Sequence, residues 1–286
     1  MNFRTLHSST ESPSRLCSSI HSRLISQGWK DDPSEISDLM ITDTKDLDFL
    51  HQVLKSCINT SRVLIYLSTS KLYKAKEIKF EDKNRFLADY TDEKAEPTDE
   101  VFTNKDLVKV MACDALVAEY SKSNHIQSCV FRLGCVVGYP LSTNPDGFLS
   151  KMIASFKKEE EIIVWGYDGK QVRDQLHIWD VAEAIKVFHT KAQVQRLEGE
   201  IYNIGGGQEN SLSCLELLKY LFPYAFIYKN SLISGENKPA VIFDYEKKDE
   251  RPFYVTDYSK FNALTNWKPK VILDNIIGVY LKEGVQ

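Results

Sequence analysis

The chain has 286 residues, with 36 Lys and Arg against 40 Asp and Glu for a formal charge of −4, 43% hydrophobic residues and 11% aromatics. That supply of apolar material excludes global disorder, and a prior of roughly 150 residues per domain suggests one large domain or two lobes. The near-neutral balance excludes a dedicated nucleic-acid binder, and no apolar run approaches the roughly 18 residues of a membrane span, so neither nucleic acid nor a membrane is expected as a partner.

The first thirty residues are rich in Ser, carry Arg4, Arg15 and Arg23, and have Glu11 as their only acid before Asp31. This is the composition of an organelle transit peptide, or of a solvated tail with a short helix around Leu16 to Leu24. From Ile41 the pattern becomes regular. Asp43 is placed to cap a helix whose apolar positions Leu47, Leu50, Val53 and Leu54 recur at helical spacing. Val63-Leu64-Ile65-Tyr66-Leu67 is apolar on both faces, which predicts a covered strand of a parallel sheet, ending at Ser68-Thr69-Ser70. Lys74 to Asn104 reads as loop. Leu107, Met111 and Ala115 mark one face of a helix, and Cys129 to Leu133 a second covered strand.

A helix follows around Phe148 to Phe156, then the strand-like run Ile162-Ile163-Val164-Trp165. Asp168-Gly169 between that run and Gln171-Val172 predicts a hairpin with a type I′ turn. Asp180 to His189 reads as a helix, and Ile201 to Ile204 as a strand stopping at Gly205-Gly206-Gly207. Ser213 with Glu216 predicts a capping box. A strand near Tyr254-Val255 and helices from Asp257 and Asp274 complete the chain. Strands alternating with helices predict an α/β fold with a largely parallel sheet.

The six cysteines, Cys17, Cys57, Cys113, Cys129, Cys135 and Cys214, form no C-x-x-C pair, a pattern of reduced thiols in an intracellular, cytoplasmic protein. With no H-E-x-x-H either, no metal site is expected. Gly205-x-Gly207 matches a dinucleotide fingerprint only in part, since Asn210 stands at the third glycine, and it reads as a strand-to-helix turn. Gly169-Lys170 fails the phosphate-loop pattern at Val164 and Gln171. Arg173 has two readings, a bidentate hold on a diphosphate or a salt bridge to Asp174 or Asp180, and Arg251 faces the same choice. Ser68, Thr69 and Ser70 stand either at a ligand-binding sheet edge or in plain turn chemistry.

Four blocks together carry a resemblance: Ser68 to Tyr73, Phe131 to Gly138, Gly166 to Asp180, and Tyr202 to Gly207. Val255 to Lys260 and Asn266 to Pro269 agree with it. The chain from about Ile41 onward resembles the extended short-chain dehydrogenase/reductase superfamily, and within it the nucleotide-sugar epimerases of the CDP-paratose 2-epimerase type. The resemblance implies a Rossmann-like parallel sheet, partly truncated, with a smaller C-terminal substrate lobe. It divides the chain into a Ser-rich leader over 1–40, a nucleotide lobe over 41–140 and 176–205, and a sugar-binding lobe over 141–175 and 206–286. It implies NAD as cofactor, a nucleotide-diphosphate sugar as substrate, and transient oxidation with return of hydride to the other face of the sugar. Thr69 matches the family's catalytic Ser or Thr, and Arg173 and Arg251 match its diphosphate contacts. Helix 105–122, with Leu107 and Met111 on its apolar face, matches the element that pairs in the family's dimers, so a homodimer or a heterodimer with an active homologue is expected there.

Two departures count against full activity. The family's Tyr-x-x-x-Lys falls on Asp106 and Val110, and Lys109 lies about 100° away round the helix. Loss of a matched general base removes a factor typically of 10²–10⁴. The front is altered as well. Gly28 is the only glycine before Ile41, so no Gly-rich phosphate turn can be written. At about 30 residues per βαβ unit, forty residues are expected to be too few for the first three strands. The expectation is a nucleotide-sugar family protein with an impaired or absent NAD site; a divergent active epimerase and a non-catalytic binding partner are the alternatives.

Overall fold

The computed structural model describes residues 2–9, 11–12, 14–32, 37–138, 147–222, 226–228, 231–233, 240–244 and 251–282. Its centre is a six-stranded sheet in which every neighbouring pair is parallel. The strands are β1 (Asn2–Leu6), β2 (Lys30–Asp31), β3 (Leu39–Thr42), β4 (Val63–Thr69), then Ser128–Leu133 and Glu198–Ile204. From one edge to the other they run β2, β1, β3, β4, 128–133, 198–204. This is the doubly wound α/β order with one outer strand fewer.

Helices cover both faces, which is why the inner strands carry apolar residues on both sides. Helix α1 (Arg15–Ser26) and the helix Ile178–Ala192 pack on one face through Ile20, Leu24, Val181 and Ile185. Helix α2 (Leu47–Cys57) and helix α3 (Lys105–Asn124) cover the other through Leu50, Leu54, Cys113 and Val117.

The leader expected over 1–40 is corrected by this arrangement. Those residues supply β1, α1, β2 and the start of β3. Cys17, Ile20 and Leu24 recur at helical spacing and are buried, while Ser18 and Ser22 on the opposite side face solvent. The short helix expected around Leu16 to Leu24 is thus present as α1, with its apolar side buried against the sheet rather than in a solvated tail. Only residues 32–38 separate β2 from β3, so one strand–helix unit of the doubly wound order is skipped and two of the first three strands stand before β3. Asp46, and not Asp43, caps α2, accepting from Phe49 N at 3.0 Å.

A second core gathers Gly147–Lys157, Cys214–Leu221 and Leu273–Lys282, with Ile162, Val164 and Leu212 between them. The expected hairpin at Asp168-Gly169 does not form. Tyr167, Asp168 and Gly169 all have positive φ, as such a turn requires, but Ile162–Trp165 pairs in parallel with Val241–Asp244. Val172–His177 pairs instead with Ser211–Ser213, Phe253–Tyr254 and Cys135–Val137. The capping box at Ser213 and Glu216 is present. Beyond it, Phe261 and Trp267 return to the first core, packing against Phe131 and Tyr202, so residues 259–267 lie against the main sheet.

The glycines after Ile204 serve close packing. A methyl group at Gly205 would lie 1.9 Å from Thr256 Oγ1, and one at Gly206 would lie 2.1 Å from the carbonyl oxygen of Gln175. Only glycine lets these backbones approach so closely.

Candidate functional site at the carboxyl edge of the sheet

The carboxyl ends of the parallel strands gather most of the residues singled out from the sequence. At the end of β4, Thr69 Oγ1 accepts from Lys71 N at 3.2 Å, so the turn chemistry expected of this Ser/Thr run is formed. Ser68 Oγ donates to Asp114 Oδ2 at 2.8 Å. Asp114 also takes a bidentate pair of hydrogen bonds from Arg132, at 2.9 and 3.0 Å, and is almost wholly buried. That trio fixes α3 against β4 and the 128–133 strand. Tyr73 extends the network, donating to Asn203 Oδ1 at 2.6 Å beneath the Arg132 guanidinium.

Arg173 is buried in the Val172–His177 strand and donates to the Val172 carbonyl at 2.8 Å. The salt bridge to Asp174 or Asp180 does not form. Asp174 accepts from Gly207 N at 3.0 Å, and Asp180 accepts from Lys270 N and Val271 N, each at 3.0 Å. Arg251 donates to the carbonyls of Ser70 and Tyr73 at 2.9 and 3.4 Å and lies over the Tyr254 ring. Burial, with the like charge of Arg173 beside it, lowers the Arg251 pKa. Arg173, Arg251 and Lys71 all stand close enough to Cys135 to pull its thiol pKa down, although burial outweighs them and raises it. Lys71 and Cys135 were missed in the sequence because their significance lies only in convergence with two arginines distant in the chain.

The two positions expected to match the family's Tyr and Lys have unlike surroundings. Asp106 is 60% exposed and pairs with Lys45 at 3.7 Å. Val110 is buried with Leu72 and Leu107. Leu107, expected on an outward pairing face, points into that same cluster, and Val108, 47% exposed, faces outward in its place.

In an open α/β sheet, ligands bind outside the carboxyl ends at the point where strand order reverses. Here β1 is followed by β2 on one side and β3 on the other, so that point is the crevice between β1 and β3. Side chains from the loops after the two strands meet across it. Asp43 accepts from the Ser14 hydroxyl and, at 3.3 Å, from the Cys17 thiol in the first turn of α1.

The profile of the NAD dependent epimerase/dehydratase family matches residues 30–205. The chain belongs to that family. It is 31% identical over 180 residues to CDP-paratose 2-epimerase of Salmonella typhi, covering 61% of this chain and 47% of that protein. It is 30% identical over 141 residues to dTDP-glucose 4,6-dehydratase of Xanthomonas campestris pv. campestris, covering 49% and 38%. The chain thus spans about half, or less, of the length of the curated relatives it matches. Among solved structures it is similar to UDP-glucose 4-epimerase of Thermotoga maritima with UDP-glucose, at TM-score 0.71 and 16% identity over 99% of this chain and 98% of that one. UDP-glucuronic acid 4-epimerase of Bacillus cereus with UDP-glucuronic acid and NAD gives TM-score 0.69 and 19% identity over 99% of each chain. These likenesses carry the fold.

Within the family, a dinucleotide pyrophosphate is held by a Gly-rich turn and the amides at the next helix N-terminus. The residues of this chain do not fit that group. The loop after β1 contains no glycine, and the carboxylate of Asp43 stands beside the first turn of α1. No helix among the described residues is long and apolar enough to cross a membrane, and none of their acidic, His or Cys side chains gather as a metal site.

Proposed function

We propose that this chain is a nucleotide-diphosphate-sugar-binding member of the family that does not carry out the family's epimerase turnover. The observation that supports the binding half is the convergence of Arg173 and Arg251. A diphosphate beside the two guanidiniums would accept charge-assisted hydrogen bonds from both. Lys71 adds a third cation. The 141–175 and 206–286 segments, minus the 259–267 stretch that returns to the sheet, would supply the sugar pocket.

The absence of turnover rests on position 106 and position 110. An exposed carboxylate tied to Lys45 is not held against a sugar hydroxyl, and a valine cannot lower the pKa of a neighbouring base. Thr69 retains a hydroxyl proton to donate to a bound sugar, so it would orient the ligand without abstracting a proton. Calorimetric titration with CDP- and UDP-sugars tests the binding. Saturable binding that Arg173→Ala weakens by about 10- to 100-fold is expected, and absence of binding across the panel sinks the reading. Epimer or keto-sugar formation with added NAD would instead establish the divergent-enzyme alternative.

A further inference from the structure

The crevice between β1 and β3 is sewn together by five hydrogen bonds to three carboxylates. Ser14 and Cys17 donate to Asp43, Ser8 donates to Asp46, and Thr44 Oγ1 and Lys45 N donate to the two oxygens of Glu11. Thr42 adds a sixth link, from its hydroxyl to the Leu6 carbonyl at 2.8 Å. The acids come from both sides. Glu11 reaches from the β1 loop to the β3 loop, and Asp43 and Asp46 reach back.

We infer that these carboxylates replace the dinucleotide phosphate as the anions of this crevice, so that the nucleotide lobe is held together by its own chain and takes no NAD. Two physical arguments carry this. A helix N-terminus favours a negative charge, and Asp43 already supplies one at α1 through the Ser14 cap and Cys17. A pyrophosphate brought to the same place would meet like charges in partly buried surroundings, where screening is weak.

The inference is kept separate from sugar-nucleotide binding at the arginine cluster by titrating both wild-type protein and Arg173→Ala, which lacks that cluster's diphosphate contact, calorimetrically with NAD. No saturable heat is expected from NAD with either protein up to about 1 mM, a limit of roughly 4 kcal/mol in affinity. In the absence of any ligand, Asp43→Ala is expected to lower the melting temperature by several degrees. Asp43→Asn, which keeps the shape and one acceptor, should fall between the two and serves if the alanine variant does not fold. Saturable NAD binding in the micromolar range overturns the inference. So does an Asp43→Asn melting temperature equal to that of the wild type, since the carboxylate would then hold nothing together.

Discussion

Asp114 on α3 and Arg132 on the neighbouring strand form a bidentate ion pair at 2.9 and 3.0 Å, with Asp114 buried beneath the helix. The pair holds α3 in register over the sheet, with Val110 one turn and Asp106 two turns earlier on the helix. Positions 106 and 110, where the family's Tyr and Lys are expected, thus ride on a helix that this pair holds in place. Removing one partner would strand the other charge in a desolvated place. Asp114→Ala is expected to cost about 3–5 kcal/mol of unfolding free energy, read from urea denaturation, and Asp114→Asn less.

The same scaffold allows a grafting test. Asp106→Tyr with Val110→Lys restores the residue types of the family's base pair. It is expected to yield no epimer and no NADH absorbance, because the crevice for the dinucleotide remains closed. The Lys would also replace a buried valine beside Leu72 and Leu107, so a lowered melting temperature is expected alongside.

The arginine cluster predicts a split between affinity and stability. Arg173→Ala and Arg251→Ala are each expected to weaken UDP- or CDP-sugar binding by about 10- to 100-fold, the size of a lost charge-assisted contact. Lys71→Ala should weaken it less, since a single flexible ammonium gives no bidentate geometry. Calorimetry on the three variants gives the order directly.

His177 makes stability depend on pH. Its ring is buried, its Nδ1 accepts from Trp179 N at the start of the helix, and burial, then the charge of Arg23, lowers its pKa from 6.5 to about 4. The folded state therefore keeps this imidazole neutral, while the unfolded chain takes up a proton as pH falls below about 6.5. The resulting loss of stability grows as pH falls from about 6.5 towards 4, amounts to roughly 3 kcal/mol, and levels off below that. His177→Asn retains a cap acceptor but does not titrate. Urea denaturation of both proteins at pH 7 and pH 5 should show the wild type losing more stability than the variant over that interval.

Packing on α3 gives a further contrast. Leu107→Ala should cost about 2–4 kcal/mol, as a side chain buried against Leu72 and Val110. Val108→Ser, at a position 47% exposed, should change stability by no more than about 0.5 kcal/mol. If the outward face of α3 joins two copies, Val108→Glu shifts the species seen by light scattering without moving the melting temperature of the isolated chain.

Local pattern in the sequence determined much of this protein. The apolar run over Val63 to Leu67 required a covered strand, the spacing of Leu107, Met111 and Ala115 required a helix, and Ser213 with Glu216 required a cap, each by a rule acting over a few residues. The family likeness was equally legible, because it is a matter of residue order. Three things needed the tertiary structure. The strand at Phe3, and the burial of the short helix through Cys17, Ile20 and Leu24, emerge only once the sheet is there to cover them. The turn at Tyr167 to Gly169 has hairpin dihedrals but no hairpin, since its flanking strands find better partners at Val241–Asp244 and Phe253–Tyr254. The closing of the crevice depends on Glu11, Asp43 and Asp46 meeting Thr44, Ser14 and Ser8 across two strands. Spacing along a chain carries no record of such a meeting, because the energy that fixes it is that of hydrogen bonds between loops some thirty residues apart.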